Sequence, residues 1–147
     1  MVRLGKLLLL LAALGTIGCD PGMTIRQSDD QTNDSKLKIQ VPMSHPLIGE
    51  NWYAPDNVRV TSLFESDVTI TGVQLVSENN TYPYRQVGPT EYPLVIPTGR
   101  TIRIPIWFDL DSGVSNVFKN KVELRISYEG ARDNGVSSAF LIGGPLD

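Results

Sequence analysis

The chain has 147 residues, thirteen basic and sixteen acidic, for a formal net charge of −3, and its charges are scattered evenly along the sequence. Without a clustered basic footprint, nucleic-acid binding and electrostatic adhesion to an anionic membrane are both disfavoured. One cysteine and one histidine cannot assemble a zinc site or an intramolecular disulfide.

Arg3 and Lys6 open the chain, Leu7 to Leu14 is an almost unbroken Leu/Ala run, and Gly15-Thr16-Ile17-Gly18-Cys19 closes it with small and aliphatic residues. This order predicts a secretory signal peptide. The apolar run from Leu7 to Ile17 is eleven residues long, short of the roughly 20 a helix needs to cross a bilayer core. It targets without spanning.

Thr16-Ile17-Gly18-Cys19 resembles the lipobox of bacterial lipoproteins, in which a small residue precedes a cysteine that is lipidated and becomes the mature N-terminus. Thr16 stands where that family usually has Leu, whereas Gly18 and the basic, Leu-rich start match. The resemblance implies a precursor segment over residues 1–18 and membrane lipid as a partner through Cys19. Two other readings exist, a buried thiol and cleavage by the general signal peptidase, for which Ala12-Ala13-Leu14 is a poor site. Asp20 follows the cysteine, and in the enterobacterial version of the family an aspartate there implies retention at the inner membrane. Without residues 1–18 the net charge becomes −5.

Residues 19–36 hold only Met23 and Ile25 as sizeable apolar side chains, so the sequence predicts a lipid-anchored flexible tether that cannot offset its ordering entropy. Residues 37–147 are then one domain, since about 110 residues suit a single core. Ten prolines and thirteen glycines among abundant Val, Ile, Thr and Tyr favour strands and turns. Ile39 and Val41 open an edge strand leading into a Pro-rich loop with Trp52-Tyr53, and Val58 and Val60 alternate with Arg59 and Thr61. Val68 and Ile70 lie on an even-numbered apolar face but Val73 and Leu75 on an odd one, which predicts a bulge or sharp bend at Gly72.

Short edge pieces follow at Tyr82-Pro83-Tyr84 and at Tyr92 to Ile96. Arg100 to Asp109 reads as the clearest strand, with Ile102, Ile104, Ile106 and Phe108 inward and Arg103 and Trp107 outward. Val122, Leu124, Ile126 and Tyr128 alternate next, and Val136, Ser138, Phe140 and Ile142 form a final alternation. No helical period is sustained beyond the signal segment, so no helix longer than a turn or two is expected. Seven or eight short strands predict an all-β, antiparallel immunoglobulin-like sandwich. The runs Ser66 to Val73, Ile96 to Gly99, Thr101 to Ile106 and Val122 to Tyr128 are similar to bacterial immunoglobulin-like domains related to the major-sperm-protein and ASH group. That resemblance spans about Asn57 to Gly144 and implies an adhesin, spacer or scaffold, without naming one.

No catalytic centre emerges. His45 lies between prolines in a loop, and no phosphate loop, HExxH or GxSxG is present. Asp109-Leu110-Asp111-Ser112-Gly113 begins like a calcium loop but has Gly113 and Asn120 where oxygen ligands belong, which suits an ordinary turn. Asn33 and Asn79 head glycosylation-type triplets without evident meaning in a bacterial-type chain. The expectation is therefore a membrane-anchored envelope lipoprotein acting as a non-catalytic binding or structural module, with no cofactor and no metal, whose partner is an envelope protein or polysaccharide. The alternative is a small carboxylate-based hydrolase or carbohydrate-active domain using Glu91, Asp109 or Asp111. Binding residue types stand at Trp107, Arg103, Trp52, Tyr53, Tyr82 and Tyr84. Among them Trp107 and Arg103 are expected at the centre of any partner site, although the Trp52 loop could instead cover Trp107.

Overall fold

The computed structural model describes residues 23–28, 36–43, 49–55, 57–78, 80–85, 91–132 and 134–145. Cys19, Asp20, Asn33, His45 and Asn79, with residues 1–18 that were expected to form a signal peptide, lie outside the described residues.

The described residues form an all-β, antiparallel sandwich. Its strands are β1 (Met23–Gln27), β2 (Leu37–Gln40), β3 (Trp52–Tyr53), β4 (Val58–Ser62), β5 (Val68–Ser77), β6 (Asn80–Pro83), β7 (Leu94–Ile96), β8 (Thr101–Ile104), β9 (Phe108–Asp109), β10 (Val122–Gly130) and β11 (Asn134–Pro145). One six-stranded sheet runs β1-β11-β10-β5-β6, with β7 also paired to β5. The opposite layer is a three-stranded sheet β2-β4-β8 and a two-stranded extension β3-β9. The only helical turn among the described residues is Val114–Val117.

A single apolar cluster joins the layers. Leu75, Ile70, Leu124 and Ile126 from the large sheet and Leu37, Val60, Ile104 and Phe108 from the other layer are all essentially buried. Each such aliphatic or aromatic side chain contributes about 1.5–3 kcal/mol by leaving water. The phase change at Gly72 is a bulge, as its spacing predicts. Gly72 pairs with Ser127 and Ile70 with Tyr128, so Thr71 is the extra residue and Val68, Ile70, Val73 and Leu75 all face inward.

Four expectations are corrected. The segment 19–36 is not tether throughout, because β1 pairs along β11 and Ile25 is wholly buried. Gln27 then donates from Nε2 to the Ile39 carbonyl (3.0 Å) and accepts from the Val41 amide at Oε1 (2.8 Å). One side-chain amide thus satisfies the outer edge of β2 as a neighbouring strand would. Gly143, opposite Ile25, is what lets β1 dock: a Cβ there would lie 2.4 Å from the Met23 methyl and 2.9 Å from Phe118 Cβ.

Among the described residues the strands number eleven instead of seven or eight, because β1 and β3 were not expected as strands and Arg100 to Asp109 is divided. Pro105 carries no N–H for a ladder, and the chain leaves the three-stranded sheet after Ile104 to rejoin at β9 beside Trp52–Tyr53. Ile102, on the edge strand β8, is only half-buried.

The last strand faces the other way. Leu141, Ala139 and Ser137 point inward, whereas Val136 is 48% exposed and Phe140 and Ile142 lie on the outer side. Directly opposed residues of antiparallel strands share a face, and β11 is registered with Val122, Leu124 and Ile126 of β10. The stronger apolar set of β10 decided the phase. The small residues it drew inward let β2 approach, and the Ser137 hydroxyl donates to the Leu37 carbonyl at 2.9 Å. Tyr53 is the fourth: it is wholly buried instead of presented on a loop.

Candidate binding surface

Ile104, Ile106 and Phe108 are buried, and period-2 alternation turns Arg103, Pro105 and Trp107 to the other side. Arg103 is exposed, as expected from sequence, but Trp107 is half-buried. Trp52 stacks on it with ring centroids 4.7 Å apart and planes 18° from parallel. The Trp107 indole N–H donates to Asp109 Oδ1 at 3.0 Å, Arg85 Nη1 lies 3.4 Å from the same oxygen, and the Arg85 guanidinium is 5.7 Å from the Trp107 ring. Trp52 in turn lies flat on Gly49, where an added Cβ would come 1.9 Å from its ring nitrogen. Both tryptophans are therefore locked into the extension formed by β3 and β9.

Tyr53, expected from sequence among the binding residues, is fully buried with its ring edge-on to Phe118 at 5.1 Å. It offers no surface, because its partner Phe108 carries it into the core. Tyr82 and Tyr84 are half-buried. Tyr82 shares a hydrogen bond with Ser112, and Tyr84 packs edge-on against Tyr92 at 5.0 Å. Burial, with Tyr84 beside it, pushes the Tyr92 hydroxyl well above its ordinary pKa. All three rings pack, partly buried, against the core.

Two open clefts meet at Asn57, and one of them reaches Trp107. One, of about 350 Å³, is lined by Ala54, Pro55, Asn57, Arg103, Pro105 and Trp107 among others. The second, of about 400 Å³, is lined by Gln27, Gln40, Val41, Pro42, Asn57 and Arg59. Asn57 belongs to both, at a left-handed φ of 62°, and its Oδ1 lies 3.5 Å from Arg59 Nε. Register explains what lies between them: Arg59 of β4 is directly opposite Arg103 of β8, and Gln40 of β2 directly opposite Arg59.

The complete outward set of the three-stranded sheet is Lys38, Gln40, Arg59, Thr61, Thr101 and Arg103, three cations and no carboxylate. Thr61 and Thr101 share a hydroxyl hydrogen bond of 2.7 Å. Sequence inspection singled out Arg103 and missed Lys38, Arg59 and Gln40. Their polar alternation was visible, but only the strand pairing brings them together.

The carboxylates of the hydrolase alternative are not gathered here. Asp109 is engaged by Trp107 and Arg85, Asp111 lies in the exposed turn closed by the Gly113 amide donating to Leu110 O (2.9 Å), and Glu91 is exposed ahead of β7. Gly113 has φ 92°, the backbone of a turn. Among the described residues no group of three His, Cys, Asp or Glu side chains could hold a metal ion. Comparison with family models, with curated proteins and with solved structures finds no match to this chain.

Proposed function

We propose that the chain is an exported lipoprotein, anchored through Cys19, whose sandwich is a non-catalytic binding module for another macromolecule of the cell envelope. The observation that carries the binding reading is Arg103: exposed, without a carboxylate partner among the described residues, and at the lip of an apolar cleft. The order of basic start, Leu-rich run and small residues before Cys19 supports the anchor. The burial of Ile25 changes its geometry. Only Asp20, Pro21 and Gly22 separate Cys19 from β1, so a lipidated Cys19 would hold the domain within about 15 Å of the bilayer surface at 3.3–3.6 Å per residue.

Metabolic labelling with an alkyne-bearing fatty acid tests the anchor. The wild-type chain should take up label and sediment with membranes, and Cys19→Ser should do neither. Label or membrane sedimentation undiminished in Cys19→Ser would overturn the reading.

A further inference from the structure

We infer that the free edge of β8 is a strand-addition site for an extended acidic peptide, whose alternate carboxylates are received by Arg103 and Arg59. This rests on the binding-module reading and names its partner chemistry.

The edge follows from the ladder. β8 pairs with β4 on one side, and no other strand pairs with it among the described residues. The Ser62 amide donates to Arg100 O at 3.1 Å, and Thr61 is then opposite Thr101. Antiparallel pairs alternate between exchanging hydrogen bonds and pointing them away. The main-chain groups of Ile102 and Ile104 therefore face β4, and those of Thr101 and Arg103 face outward. Pro105, at the next outward position, has no N–H to offer. The open edge thus ends there.

The charge pattern selects the occupant. Arg59 and Arg103 are opposed in a pair without mutual hydrogen bonds, the kind with the closer side chains. Like charges directly opposite each other destabilise a sheet. On this face Lys38 adds a third cation. An added strand carrying Asp or Glu at every second position would set a carboxylate beside Arg103, within reach of Arg59, in the fork geometry that guanidinium favours. Intervening apolar side chains would turn to the opposite face, that of Ile104 and Ile106 in the adjoining cleft. An anionic glycan is less well served. Both faces of the Trp52 ring are taken, one by Trp107 and one by Gly49, and Trp107 gives one of its faces to Trp52, which leaves little aromatic surface for a sugar to stack on.

The test uses the full chain in detergent with a synthetic peptide alternating Asp and Val, its copy N-methylated at every second residue, and polygalacturonate. The Asp–Val peptide should bind in a salt-dependent way and slow hydrogen exchange at the Thr101 and Arg103 amides. Its affinity should fall roughly tenfold or more in Arg103→Gln, with thermal stability retained, the scale of a lost charge-assisted pair. N-methylation should weaken it comparably. Equal binding of the N-methylated copy would overturn the use of the edge, and tighter binding of polygalacturonate would reassign the face to a glycan. No binding of either probe would reduce the arginine pair to solvated surface. Failure of the Cys19 labelling would remove the anchor while leaving these outcomes intact.

Discussion

The two outer faces of the sandwich arise from the same alternation and differ in how their charges are settled. On the six-stranded sheet Glu123 and Arg125, two residues apart on β10, form a forked pair at 2.9 and 3.2 Å, and the Ser138 hydroxyl of β11 donates to the same carboxylate. Lys121 lies over the Phe140 ring at 5.1 Å. The hydrogen bonds from Arg125 hold the Glu123 carboxyl below its ordinary range against the opposing effect of burial, and Glu123 in turn raises Arg125. The three-stranded sheet instead leaves Lys38, Arg59 and Arg103 without a carboxylate among the described residues. A charge paired within its own face has little left for a partner. A face that opposes two arginines retains unfavourable energy that an anionic ligand can relieve.

The largest effect that sharpens this contrast lies beneath the self-paired face. Ile25→Ala should destabilise the protein by about 2–4 kcal/mol in urea unfolding, the range for truncating a buried isoleucine. A loss under half a kilocalorie would return residues 23–27 to the tether. Next comes Glu123→Gln, which should cost up to about 1 kcal/mol at neutral pH, since partly exposed ion pairs are screened. The sign follows from linkage. Glu123 has a lower pKa folded than unfolded, so its contribution is complete above the unfolded value of about 4.3 and is lost as pH falls through the folded one. The wild-type and Glu123→Gln unfolding midpoints should therefore converge in acid, and a gap that persists there would mean the pair does not act through charge.

Arg59→Gln should do the smallest and opposite thing. Removing one of two opposed cations should stabilise by a few tenths of a kcal/mol, and added salt should shrink the gain. A loss of stability in Arg59→Gln would make the arginine pair structural and erase the distinction between the faces.

Some of this was legible in the residues. The parity switch at Gly72 announced the bulge, and the Val122 to Tyr128 alternation announced a central strand. Arg103 was found on the outer face because three buried neighbours of even number forced it there. β1 was not legible, because two apolar side chains among polar residues cannot signal burial that depends on Gly143 across the ladder. Tyr53 beside Trp52 looked like a loop aromatic until Phe108 paired with it.

What the sequence by itself determined is the β character, the places where strands begin and bend, and which side chains share a face within one strand, because these depend on period-2 alternation and local turn chemistry. Only the tertiary structure decided which of two faces β11 turned inward, how Trp107 was covered by Trp52, and that Arg59 stands opposite Arg103. Those outcomes belong to register between strands distant in the chain, and register is set by the summed burial of both partners, a quantity that neither strand carries alone.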